Sequence, residues 1–72
     1  MIDEVRQRFI DLLEQDAMQA HTAAQAWKEL REHGARLEDA QGKTIATAAD
    51  MVTKFTDREK EFRDLIAQIK MA

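Results

Sequence analysis

Turn-forming residues are confined to one region of this 72-residue chain, and no other feature constrains the fold as strongly. The chain contains no proline, and its two glycines, Gly34 and Gly42, both lie in the central segment EHGARLEDAQGKT. Serine and asparagine, which also favour turns, are absent. The sequence therefore predicts two long elements joined by a single bend.

The composition predicts that both elements are α-helices. Ala, Gln, Glu, Lys, Arg, Leu and Met dominate the chain, and these are the strong helix formers. Tyrosine, which favours strands, is absent. The predicted fold class is all-α: one domain over 1–72, an antiparallel two-helix hairpin with coiled-coil-like packing, dimerising into a four-helix bundle.

Apolar residues in the first half fall within an arc of roughly 120°, as in an amphipathic helix. This pattern predicts helix 1 over about 2–33, with Gly34 in the left-handed position that follows a helix end. The alternative, in which helix 1 continues to Gly42, would leave one helix much longer than the other.

The second half carries a stricter pattern, with apolar residues from Ile45 to Ile69 at alternating steps of three and four. It predicts helix 2 over about 44–71. Thr44 or Thr47 is expected to cap its start, and Thr47 with Asp50 resembles a capping box. The connecting segment 34–43 is expected to hold an extra helical turn.

The alanine-rich stretch of helix 1 is interpreted as a packing surface for larger side chains of helix 2. In the hairpin, residue numbers that face each other sum to about 77, which places Ala20 and Ala24 opposite Phe55 and Val52. Trp27 is assigned to the core near the bend. The alternative is that the alanines allow close helix contact across a dimer.

Polar residues interrupt the apolar pattern of each predicted helix, and they predict an ion pair that fixes how the two helices align. Asp16 falls near the centre of the helix 1 face, close to Arg58 and Arg63, and Glu59 takes a core position of helix 2. A covered Asp16 should pair with one of these arginines, because an unpaired buried carboxylate is costly. Two alternatives remain: Asp16 is solvated, or Asp16 and Glu59 form an acidic notch for a basic partner.

The apolar residues left over predict a surface for association. A single hairpin gives each helix one neighbour, so this surface would stay exposed in a monomer. A homodimer, a higher oligomer or a partner helix laid in the groove would cover it. The residues predicted to form this protein interface are Ile10, Met18, Phe55, Phe62, Leu65 and Ile69.

Catalysis and metal binding are not expected. The two histidines, His21 and His33, fall on different helical faces, and no Ser, Cys or Tyr is present to act as a nucleophile. We therefore predict a non-enzymatic protein with no cofactor and no metal.

The charge and hydropathy patterns bear on partners and location. The net charge of −3 disfavours nucleic acid, although a dimer could combine Arg6, Arg31 and Arg58 into a basic strip. The chain contains no run of about 18 apolar residues, so no membrane helix is expected. The first residues lack the apolar region of a signal peptide, so a cytoplasmic location is expected.

The predicted architecture, rather than any residue motif, resembles the small dimeric hairpin regulators of bacteria, plasmids and phages. Because function does not follow from architecture alone, the leading hypothesis rests on the leftover apolar surface: a protein, bacterial or phage in origin, that homodimerises and binds another protein as a regulator or inhibitor, of the anti-activator or adaptor type. The alternatives are a nucleic-acid-binding hairpin dimer similar to RNA regulators, and a structural subunit of a larger helical assembly.

Overall fold

A computed structural model describes residues 2–72 as two long helices joined by a short pair of strands. The elements are α1 (Asp3–Glu32), β1 (Arg36–Glu38), β2 (Thr44–Thr47) and α2 (Ala48–Met71). The helices run antiparallel in a body of 52 × 22 × 14 Å, which is one helix thick. The predicted mostly helical architecture is confirmed, and the strand pair is an addition that the sequence did not predict.

Helix α1 ends in a glycine cap. Gly34 has a φ of 71°, a conformation that glycine adopts without steric cost. The Ala35 N–H donates to the Leu30 carbonyl at 3.1 Å, and the Gly34 N–H donates to the Arg31 carbonyl at 3.0 Å. This is the Schellman arrangement, which satisfies the last carbonyls of a helix. The alternative in which helix 1 continues to Gly42 is therefore wrong.

The extra helical turn expected in segment 34–43 is wrong, because the chain reverses there through a β-hairpin. The Asp39 carboxylate accepts hydrogen bonds from the Gln41 and Lys43 N–H groups, both at 2.9 Å. The Gly42 N–H donates to the Asp39 carbonyl at 3.0 Å, and Gly42 has a φ of 80°. Aspartate at the first position and glycine at the fourth are typical of a β-turn.

Helix 2 begins four residues later than predicted, because residues 44–47 pair with β1. Leu37 lies opposite Ala46, and the register shifts after Leu37. Ile45, which was assigned to the heptad of helix 2, lies on β2 with 68% of its surface exposed. The β-branched residues of TIAT favour a strand over a helix.

A complete capping box starts α2. The Asp50 N–H donates to Thr47 Oγ1 at 3.2 Å, and the Thr47 N–H donates to Asp50 Oδ2 at 3.0 Å. Of the two predicted caps, Thr47 is correct and Thr44 is wrong. The hydrogen bonds from Thr47 hold the pKa of Asp50 below its ordinary value, because they favour the charged carboxylate.

Small side chains dominate the core between the two helices. Alanine fills most of it, and Trp27, which the sequence assigned to the core, is half-buried near the bend. A core of this kind stabilises a chain of this length only modestly. The buried apolar residues are Ile10, Ala17, Ala20, Ala24, Ala48, Val52 and Ile66.

Replacing Thr47 with alanine should lower the free energy of unfolding by about 1 kcal/mol, because α2 loses its capping acceptor. The thermal midpoint, followed by circular dichroism, should fall by roughly 4–8 °C. Thr56→Ala is the matched control, since Thr56 is exposed in the interior of α2 and alanine favours helix. An equal fall in both variants would contradict the capping role.

Candidate protein interaction face

Helix α1 carries two heptad stripes side by side, and only one of them faces α2. The inner stripe consists of Ile10, Leu13, Ala17, Ala20, Ala24 and Trp27, which are buried or half-buried. The outer stripe follows the same alternation of three and four residues, and it consists of Val5, Phe9, Leu12, Asp16, Gln19, Ala23, Ala26 and Leu30. A helix with two such stripes has two packing surfaces.

The large members of the outer stripe are open to solvent. Phe9 is 52% exposed, Leu12 is 51% exposed and Leu30 is 43% exposed. Helix α2 carries a matching stripe, in which Phe55 and Phe62 are half-buried and Leu65 is 45% exposed. The α2 stripe consists of Met51, Phe55, Arg58, Phe62, Leu65 and Ile69.

The outer stripe of α1 and the stripe of α2 lie on the same side of the hairpin. An open groove of about 400 Å³ between the helices is lined by residues of both stripes. We call the two stripes together the apolar face. The groove residues that they contribute are Asp16, Gln19 and Ala23 from α1 and Phe55, Arg58 and Phe62 from α2.

The opposite side of the hairpin is charged. The Arg63 Nε–H donates to Glu59 Oε2 at 2.9 Å, and His21 Nδ1 lies 3.0 Å from Glu59 Oε1. Lys70 Nζ lies 4.0 Å from Glu14 Oε1 at the open end. We call these five residues the charged face. Within residues 2–72, every ion pair that joins α1 to α2 lies on it.

Glu59 is the electrostatic centre of the charged face. Its pKa is lowered by the hydrogen bond that the carboxylate accepts from Arg63 and, to a smaller extent, by the one that it accepts from His21. Both partners favour the ionised carboxylate. Glu59 lies on the charged face, whereas Asp16, its partner in the alternative of an acidic notch, lines the groove of the apolar face.

The predicted pairing of Asp16 with Arg58 or Arg63 is not found in the single chain. Asp16 is exposed and makes no ion pair within the described range 2–72. Arg63 binds Glu59, and the Arg58 guanidinium carbon lies 5.5 Å from the centre of the Phe55 ring. In the single chain, Asp16 is therefore open to solvent.

The predicted interface residues divide into two groups. Ile10 is only 4% exposed and belongs to the core, and Met18 lies outside the apolar face, beside Glu14 and Gln15. The predicted residues that the structure brings together on the apolar face are Phe55, Phe62, Leu65 and Ile69.

Sequence reasoning missed the contribution of α1 to this face. Val5, Phe9 and Leu12 were assigned to the inward arc together with Leu13, whereas Ile10 was assigned to the interface. Most residues of the outer stripe lie next to one of the inner stripe in the sequence. The two stripes therefore merge into a single wide arc when residues are placed only by their angle around the helix axis. The sequence did contain a signal for two packing surfaces, because α1 carries two complete stripes that each alternate steps of three and four residues.

The chain was compared with known proteins and searched for other kinds of site. No family model, curated protein or solved structure matches it. Within residues 2–72, no cluster of His, Cys, Asp or Glu has the arrangement needed to bind a metal ion. No helix in this range combines the length and hydrophobicity required to span a membrane. The apolar face is thus the candidate site with the most distinctive chemistry.

Acidification should weaken the hairpin through Glu59. A carboxylate whose pKa is lower in the folded chain stabilises the fold above its ordinary pKa, near 4.5. That contribution is lost as the pH falls through the lower folded value. The thermal midpoint should therefore fall below about pH 4.5, and Glu59→Gln should flatten this part of the profile.

The control is Glu61→Gln, which changes an exposed residue of the same helix that has no ion pair among residues 2–72. It should keep the wild-type dependence on pH. A Glu59→Gln profile identical to wild type would show that the contacts with Arg63 and His21 do not stabilise the fold.

Proposed function

We propose that this chain is a non-enzymatic interaction module that homodimerises and regulates another protein by binding it, as an inhibitor, anti-activator or adaptor. The observation that carries the proposal is the separation of the two faces. Charged side chains pair with one another on the charged face, whereas aromatic and aliphatic side chains gather unpaired on the apolar face. Contiguous exposed apolar surface of this kind marks interaction sites.

The exposed area of the chain supports an interface of standard size. The accessible surface is 5547 Å² for a mass of 8.3 kDa. A compact monomer of this mass exposes about 4,600 Å². The excess of about 950 Å² reflects the elongated shape of the single hairpin, and it is enough for one partner's share, roughly 800 Å², of a typical stable interface.

The composition of the apolar face also favours protein recognition. Aromatic residues and methionine are enriched at the centres of interfaces, and this face offers Phe9, Phe55, Phe62 and Met51. The thioether of methionine adapts to partners of different shape. Arg58 covers the Phe55 ring at the groove, and arginine is frequent at binding hot spots.

The test compares three baits in a pull-down from bacterial lysate: the wild type, Phe62→Asp and Thr56→Asp. Phe62→Asp places a charge in the apolar face, and Thr56→Asp places the same charge at an exposed position outside it. A protein captured by wild type and Thr56→Asp after nuclease treatment, but lost by Phe62→Asp, is the expected result. Phe62→Asp should also lose the dimer mass in gel filtration with light scattering.

Circular dichroism checks that each bait is folded, and Leu65→Asp, at a more exposed site of the same face, replaces Phe62→Asp if that variant loses its helicity. Capture that survives both apolar-face variants would contradict the proposal. So would a Phe62→Asp variant that keeps both its mass and its helicity. Recovery that disappears with nuclease would instead favour nucleic-acid binding.

A further inference from the structure

We infer that a second copy of the chain covers the apolar face in the free protein, with the two α1 helices antiparallel and the two β-hairpins at opposite ends. The inference rests on the proposed function, in which the chain homodimerises. It adds that the apolar face is the surface covered by the second copy, and it gives the orientation of the two copies.

The outer stripe of α1 is complementary to itself in size. A two-fold axis between Asp16 and Gln19 places Phe9 opposite the partner's Ala26 and Leu12 opposite the partner's Ala23. Large side chains then meet small ones, which is how interiors reach normal packing density. Phe9 and Leu12 precede the axis and Ala23 and Ala26 follow it, so an antiparallel pair matches large residues with small ones, and Val5 meets the partner's Leu30 at each end of the contact.

The polar residues match under the same symmetry. Asp16 faces the partner's Gln19, whose side-chain amide can donate to the carboxylate. Neither side chain has a hydrogen-bond partner in the side-chain contacts of residues 2–72. Arg8 and the partner's Glu29 flank the contact and carry opposite charges. Pairs of this kind set partner choice and register in coiled coils.

Helix α2 fits the same axis. The contact of His21 with Glu59, and the groove shared by Ala20 and Arg58, fix which parts of α1 and α2 lie at the same level. An axis between Asp16 and Gln19 therefore crosses α2 near Phe62. Phe62 would approach its own copy, so the α2 helices stand further apart than the alanine-lined α1 helices.

The rival dimer has both β-hairpins at the same end and packs α1 against the partner's α2. It would place Phe9 and Leu12 against the partner's Ile69 and Leu65. Large side chains would then crowd one end of the interface, and overpacking of this kind is destabilising. The size pattern therefore favours the antiparallel arrangement of the α1 helices.

Cysteine pairing distinguishes the two dimers, because the chain contains no native cysteine. Leu12→Cys and Ala23→Cys are unfolded together, refolded and oxidised, and disulfide-linked dimers are measured by non-reducing electrophoresis. Random pairing should link about half of the dimers in the mixture. Each variant alone should form no disulfide, because its two cysteines would lie roughly 16 Å apart along the helix pair.

Gln25→Cys, an exposed position outside the apolar face, is mixed with Leu12→Cys as the control and should not link. Linkage of Leu12→Cys with Leu65→Cys, but not with Ala23→Cys, would overturn the inferred orientation in favour of the same-end dimer. If the wild-type chain sediments as a monomer, the inference that a second copy covers the apolar face is wrong. The proposed function is judged separately, by face-dependent capture of another protein.

Discussion

The packing of α1 against α2 over small side chains determines the rest of this structure. Ala17, Ala20 and Ala24 are buried on α1, whereas Phe9 and Leu12 are about half exposed. Alanine packs without loss of side-chain entropy but buries little apolar area. The large side chains are consequently displaced to one flank of each helix, where they form the apolar face.

This arrangement links stability to association. The hairpin is one helix thick, its core is made of small residues, and no disulfide reinforces it. Short chains of this kind usually depend on a partner for part of their stability. In the proposed dimer, the apolar face supplies the missing apolar area, while the ion pairs around Glu59 lie on the opposite, charged face. A module with one apolar face and one charged face is expected to form discrete complexes rather than extended aggregates.

Local backbone chemistry made much of the fold predictable. Gly34 ends α1 and Thr47 caps α2 because each satisfies free backbone groups with a residue type suited to that task. The β-hairpin was missed because its strands are too short to show alternation. Its turn signal, Asp39 with Gly42, lies among helix-forming residues. The face contributed by α1 was missed because two adjacent heptad stripes resemble one wide stripe.

Sedimentation equilibrium of the unmodified chain tests most directly whether a second copy covers the apolar face in the free protein. The experiment is run over a range of concentrations, with the thermal midpoint measured at each one. The expected result is a mass of twice the 8.3 kDa of the chain, and a midpoint that rises with concentration as mass action requires. A mass of 8.3 kDa with a midpoint independent of concentration would show that no second copy covers the face.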